Sequence, residues 1–417
     1  MRISVLNRKL RKAFGGRVTA APEDNCIVLR GTLDRWDDVV RAGQMAATKY
    51  STCHVVNDIT FTGGKDAPMR VPALRDDALD GQTPDVLIIG GGISGVSIAR
   101  ELARKQLDIL VVDKECDLAL GASGRNDGEV HPGVDLSKGS LKHKYIRRAN
   151  HMYEDLCREL DVPFKRTGQY ACFTHKSWLP FVSLYAKWRR DHDGIEDTCI
   201  VMGDEIRKKE PKISADVAFA LSNPSSGSVS PYNLVIAYAE NAVQNGARVS
   251  LNTAVTGMDV SGGEIKAVYT NRGTIYPREV INCAGVYSDV VAQMAQDRFF
   301  SIHPRRGTNS ILDKKTGASF HGIASIVMSQ SPVKTHTKGG GILHTMHDNL
   351  LIGPDAVETP ERENTATDAE SIARVFTKQR ITMPTLTEKD IITYFTGVRA
   401  PTYEEDFIIE PGRKTKN

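Results

Sequence analysis

The sequence predicts an α/β protein, a Rossmann-like domain preceded by a small α/β module. Three observations carry this. Residues 85–115, "DVLIIGGGISGVSIARELARKQLDILVVDKE", run strand, glycine turn, helix, strand and acid within one βαβ length. Residues 24–61 alternate strand-like and helix-like patterns. Between them "TGGKDAPMRVPALRDDALDGQTP", 62–84, is rich in Gly, Pro and Asp, as linkers are. The domains are therefore 1–61, a linker at 62–84, and 85–417.

The start, "MRISVLNRKLRKAFGGR", is basic, without acids and without the continuous apolar run of a secretory signal. It is read as a solvated basic end; a transit peptide or a membrane-surface helix is the alternative. "CIVLRG" reads as a strand. "DRWDDVVRAGQMAATKY" (34–50) reads as a helix that Asp34 can cap, with Trp36, Val40, Gly43 and Ala47 on one face. "CHVVNDITF" has strand spacing at Val55, Ile59 and Phe61. The strand with Gly31, the alanine-rich helix and "VVNDI" loosely resemble a BON domain. That resemblance implies binding to surfaces or partners; a packing appendage is the other reading.

In the main domain, Val86 to Ile89 form a buried strand. Gly90 allows a tight turn, Gly92 lets backbone approach a pyrophosphate, and Gly95 lets the next helix lie close to the sheet. That helix aims its first amides at the phosphates. Asp113, ending "DILVVD", is placed to accept hydrogen bonds from ribose hydroxyls, and an acid there disfavours a 2′-phosphate. The expected ligand is a dinucleotide.

The motif does not separate FAD from NAD. The loop after it does: "LALGASGRNDGEVHPGV" (118–134) replaces the next βα unit with small polar residues suited to wrapping phosphates and a flavin ring. With "KGSLKHKYIRRANHMYEDLCRELDVPFKRTGQY", "NGARVSLNTAVTGM", "VINCAGVYSD", "HPRRGTNSILD", "KGGGILHTMHDNLLIGPDA" and "TGVRA", the chain from Asp85 on resembles the D-amino-acid-oxidase-like (DAO) superfamily of FAD-dependent oxidoreductases. The branch it resembles is that of L-2-hydroxyglutarate oxidases and the anaerobic type of FAD-dependent glycerol-3-phosphate dehydrogenase. The resemblance implies a FAD domain (85–160, 225–300 and the end) carrying an inserted α+β substrate domain (161–224 and 300–395). It implies that Gly90, Gly92, Gly95 and Asp113 hold the ADP half. Ser123, Arg125 and Asn126 then lie near the pyrophosphate and flavin, Val255 meets the adenine through its backbone, and Ala284 and Gly285 pass the cofactor again.

A flavin takes a hydride from an activated C–H bond, so the protein must place that carbon, remove the hydroxyl proton and hold the substrate's anionic end. His131, after the flavin loop, is the candidate base, since imidazole titrates near neutral pH. Arg399 is the candidate anion clamp, because a guanidinium grips carboxylate or phosphate with two hydrogen bonds. Lys142, His344 and His347 are weaker candidates. "LHTMH" puts both imidazoles on one side of a strand without a third ligand, and no metal is expected. Arg305 and Arg306 are read as structural. Thr308, Asn309 and Ser310 stand where the family often carries acidic and aromatic residues, and Asp348 where Gly is usual. The family's closing strand, glycine turn and helix are not found after "EDFIIEPGRKTKN", so the domain is expected to be C-terminally incomplete, with poor flavin retention.

Composition narrows the partners. Lys and Arg number 54 against 51 Asp and Glu, a net charge of +3, which suggests no nucleic acid. No apolar run reaches membrane-spanning length. Seven cysteines without a CxxC pair fit reduced thiols in a cytoplasmic protein. With no second Gly-x-Gly-x-x-Gly, electrons are expected to leave to oxygen, a quinone or a partner flavoprotein. Oxidation of a small hydroxy anion, glycerol 3-phosphate or a 2-hydroxy acid such as L-2-hydroxyglutarate, is the leading reading. An amine or amino-acid substrate is the alternative within the class, and a non-catalytic chain acting through its N-terminal module the alternative outside it.

Overall fold

Leu6, Leu10 and Phe14 recur every fourth residue and so share one face of a helix. In the computed structural model, which describes residues 2–48, 53–64, 67–195, 197–327 and 340–417, they are buried beneath helix Ile3–Phe14. The basic start is therefore not a solvated end. Its cations face water while its leucines fill a core with Leu29, Leu33, Val39 and Val40, each leucine contributing roughly 1.5–3 kcal/mol. Strands Val18–Glu23, Cys26–Leu33 and Val55–Phe61 form one sheet, antiparallel then parallel, under helix Trp36–Ala46. Asp34 does not cap that helix; it accepts from Arg17 Nη1 at 3.1 Å. The final residues of the helix predicted over 34–50, and Lys338 and Gly339 of "KGGGILH", lie outside the described residues.

The continuous apolar strands of residues 85–115 form the centre of a parallel sheet, ordered Arg248–Ser250, Ile109–Val112, Val86–Ile89, Glu279–Asn282. Both central strands are fully buried, as runs covered on two faces must be. Helices Ile93–Leu102 and Pro231–Gln244 cover one face. The other face meets the meander Val255–Ser261, Glu264–Thr270, Gly273–Ile275. The second half of 62–84 is not free: Leu79 is buried and donates to Arg272 O at 2.9 Å, and Asp76 pairs with Arg272 at 3.0 Å.

A second, mixed sheet gathers strands from 169–223 and 305–399. Its long pair, Arg305–Leu312 with Ile391–Arg399, runs from this sheet's core to the cleft beside the parallel sheet. Helix Ala369–Gln379 closes one face through Val375 and Phe376. The tail beyond Arg399 packs between the two main bodies and the N-terminal module. Tyr403 is buried in the module's core, and its hydroxyl accepts from Asn57 Nδ2 at 2.7 Å. A Cβ on Gly43 would stand 2.1 Å from the Tyr403 ring, so only glycine lets helix and tail meet. At the chain's last residue, Asn417 O accepts from Val280 N at 2.9 Å, along the edge strand Glu279–Asn282.

Candidate functional site

The site forms where strands Val86–Ile89 and Glu279–Asn282 end side by side, the crevice where open α/β sheets bind ligands. Gly90 takes φ +112°, and a Cβ there would lie 2.2 Å from Cys283 O. Cys283 N in turn donates to Ile89 O at 2.8 Å, so Ala284 and Gly285 lie against the glycine turn. A Cβ on Gly95 would lie 1.9 Å from Gly90 O, which brings helix Ile93–Leu102 hard against the turn. A Cβ on Gly92 would lie 2.9 Å from Ser123 Oγ, and that hydroxyl accepts from Ile93 N at 2.9 Å. The cradle left by these absent side chains suits a pyrophosphate above a helix N-terminus.

Asp113 ends its strand beside the cradle. Its carboxylate oxygens accept from Gly91 N at 2.6 Å and Glu115 N at 2.8 Å, and each keeps a lone pair for a ribose hydroxyl. Burial raises its pKa against the pull of the two amides. Thr253 N donates to Asp113 O at 2.7 Å, which places Val255, the first residue of its strand, close by.

The loop 118–128 is held by its own polar groups. Arg125 Nε donates to Leu120 O at 2.9 Å, and Asn126 Nδ2 to Ser123 O at 2.7 Å while its Oδ1 accepts from Gly128 N at 2.8 Å. A Cβ on Gly397 would lie 2.5 Å from Arg125 O, so the loop packs directly on strand Ile391–Arg399. Arg399 ends that strand, largely buried. It donates to Asp355 O at 2.8 Å, and Gly307 leaves room for its guanidinium. Burial lowers its pKa while Asp127 of the loop and Asp355 favour the charged form.

His131 follows the short strand Glu129–Val130. Its Nδ1 lies 3.2 Å from Glu129 Oε1, and its carbonyl accepts from Asn150 Nδ2 at 2.9 Å. Glu129 is held by Gln169 Nε2 at 2.7 Å. Glu129 was legible in principle, since residues two apart on a strand point the same way, but nothing in the sequence set it above other acids.

The glycines, Asp113, Ser123, Ala284 and Gly285 thus share one crevice, with Arg125, Asn126 and Arg399 along the loop that borders it. The weaker candidates lie elsewhere. The Lys142 ammonium lies over the Phe407 ring at 5.9 Å. His344 ends a strand, buried, with Nδ1 2.6 Å from Phe320 O, whereas His347 stands exposed on the following turn. The two imidazoles therefore do not share one side of a strand. Asp348 on that turn takes φ +63°, the conformation that explains a usual glycine. Arg305 is buried between Glu358 at 2.6 Å and Glu405 at 2.8 Å, a structural role. Thr308 and Thr396 share a hydroxyl contact at 3.0 Å inside the sheet.

Residues 85–417 match the family described as FAD dependent oxidoreductase (DAO). A glycerol 3-phosphate dehydrogenase of Caloramator mitchellensis is 35% identical over 327 residues, 78% of this chain and 66% of that protein. The chain thus spans about two thirds of that relative's length. An L-2-hydroxyglutarate dehydrogenase of Indibacter alkaliphilus is 33% identical over 227 residues, 53% of this chain and 56% of that one. The fold is shared with the FAD-bound, dithionite-reduced L-alpha-glycerophosphate oxidase of Mycoplasma pneumoniae, at a TM-score of 0.72 and 24% identity over 79% of this chain and 87% of that one. The glycine cradle, the ordered acid and the match over four fifths of the sequence agree: this chain belongs to the family of FAD-dependent oxidoreductases.

Proposed function

We propose that the protein oxidises a small anionic hydroxy compound, with glycerol 3-phosphate first and a 2-hydroxy acid such as L-2-hydroxyglutarate second. The observation that carries this is Arg399, a largely buried guanidinium that ends a strand against the 118–128 loop. Asp355 O takes one N–H of the guanidinium, and the rest of its planar fork suits a carboxylate or phosphate. Gly90, Gly92, Gly95, Asp113 and Ser123 hold the ADP half and pyrophosphate of FAD. Arg125, Asn126, Val255, Ala284 and Gly285 line its path. When bound, FAD supplies the hydride acceptor.

The Glu129 carboxylate lies 3.2 Å from Nδ1 of His131, and Nε2 is the atom proposed to accept the substrate's hydroxyl proton. Arg399 fixes the phosphate or carboxylate and so orients the carbon that loses hydride. The higher identity and wider coverage of the glycerol 3-phosphate relative support that substrate as the first choice. Oxygen, a quinone or a partner flavoprotein serves as electron acceptor. The N-terminal module, BON-like in its pattern, is proposed to recruit a partner, and the protein to work in the cytoplasm.

Anaerobic addition of glycerol 3-phosphate to the FAD-loaded protein tests the reading: the flavin absorption should bleach. Bleaching by L-2-hydroxyglutarate alone would move the substrate to the second choice. Bleaching only by amino acids would overturn the hydroxy reading. Arg399→Ala should slow bleaching at least 100-fold with FAD affinity nearly unchanged; equal loss of both would remove the clamp.

A further inference from the structure

We infer that the outer face of helix Leu179–Asp193 seats the protein on an anionic lipid bilayer. The helix is well built. Pro180 opens its first turn and Gly194, at φ 61°, ends it. It buries Val182 and Ala186 against Val134, Phe219 and Leu221. Arg189 and Asp193 form a buried pair on the same inward face. That face accounts for its attachment.

Beside it lies a face that packing explains only in part: the Tyr185 hydroxyl donates to Val134 O and accepts from Arg189 Nε at 2.9 Å. Phe181, Leu184, Tyr185 and Trp188 follow the i, i+3, i+4, i+7 spacing of one helical stripe, and Trp178 precedes them. Phe181 and Leu184 are each 69% exposed and Trp178 is 43% exposed. The rings group together, Trp178 with Phe181 at 6.4 Å and Tyr185 with Trp188 at 6.4 Å. A contiguous exposed apolar patch marks an interaction surface, whereas a lone leucine does not.

Charge selects the occupant. Lys176 and Lys187 are exposed beside the stripe, and Lys138 places its ammonium 5.5 Å from the Trp188 ring. Arg190 lies on the flank, donating to Thr198 O at 2.7 Å. On the helix, Asp193 is engaged by Arg189, which leaves Asp191 as its exposed acid. The His192 ring stacks on Trp188, centroids 5.9 Å apart. Protein–protein interface cores are poor in lysine. Tryptophan, phenylalanine and leucine flanked by lysines are what a helix lying in the plane of a headgroup layer presents. Each flanking cation is drawn to an anionic leaflet. With 15 residues, and with no helix among the described residues long and apolar enough to cross, this helix lies on a bilayer and does not span one.

The test is flotation of the full FAD-loaded chain with phosphatidylcholine vesicles, with and without phosphatidylglycerol. The parent should float with the anionic vesicles, at least tenfold less with neutral ones, and should be released by 0.5 M salt, on the order of a 4 Å screening length. The double variant Phe181→Glu/Leu184→Glu should lose at least tenfold of the binding, with its melting temperature and flavin spectrum unchanged. Lys176→Glu/Lys187→Glu should lose binding to anionic vesicles alone. A parent that never floats, or an apolar double variant that floats like the parent, would overturn the proposal. So would a parent that ignores vesicles yet forms a dimer which the apolar double variant abolishes; the face would then belong to a second copy.

Discussion

Gly95→Ala tests whether the glycine cradle works through close approach. The added methyl would stand 1.9 Å from Gly90 O and 3.2 Å from Ile88 Cγ2. Real contacts of this kind essentially never fall below 3.0 Å, so helix and turn must part by at least 1.1 Å, the difference between 3.0 and 1.9 Å. The helix cannot retreat freely. Val96 and Ala99 are buried beneath it, and helix Pro231–Gln244 backs it through Val235 and Ala239. Ser123 Oγ and Ile93 N would be pulled out of their 2.9 Å bond as the helix start moves. A displacement of this size costs on the order of 100-fold where geometry is exact, about 2.7 kcal/mol. The expected result is a FAD dissociation constant raised about 100-fold, measured by flavin fluorescence quenching, with apo stability lowered by about 1–3 kcal/mol from overpacking. Gly257→Ala is the control, because its methyl would meet Tyr269 at an ordinary 3.5 Å. A Gly95→Ala protein that binds FAD within threefold of the parent would refute the argument.

Three further outcomes follow from the packing. Glu129→Ala should cut the rate of substrate-driven flavin bleaching about 10- to 100-fold, with FAD binding unchanged, because His131 loses the group that orients it; an unaltered rate would detach Glu129 from the chemistry. Asp193→Ala should destabilise the fold by about 3–5 kcal/mol, since it strands the buried Arg189 guanidinium, and a denaturant midpoint shift corresponding to less than about 1 kcal/mol would contradict the burial argument. His54 is buried, which disfavours its charged form, yet Glu404 and Glu410 of the tail outweigh this and raise its pKa. A raised folded-state pKa stabilises fully below the unfolded value of about 6.5 and is lost as pH climbs through the folded one. The stability gap between parent and His54→Gln should therefore be widest in mild acid and shrink at alkaline pH; a gap independent of pH would rule out the ion pairs.

The sequence by itself determined the glycine turn and the acid that frame the proposed cofactor crevice. Gly90, Gly92, Gly95 and Asp113 sit within 24 residues of one another, and the roles proposed for them follow from the local backbone of a strand, turn and helix. Ala284 and Gly285 were also legible, because a strand pattern led into them and the family resemblance placed the turn. The same holds for the module's strands, whose periodicity is local. Other features depend on partners tens to hundreds of residues away. The basic start reads as solvated until Leu6, Leu10 and Phe14 meet the sheet beneath them. Residues 76–82 read as linker until Leu79 and Asp76 find Arg272. Arg305 reads as structural, but only the fold supplies its partners Glu358 and Glu405. Tyr403 and Glu404 gave no signal of their places against Asn57 and Val55. Glycine turns and helical stripes are encoded over a few residues, because backbone sterics and hydrogen bonding act over that range. Burial and ion pairing are properties of pairs brought together by the whole fold, and only the tertiary structure decides which pairs those are.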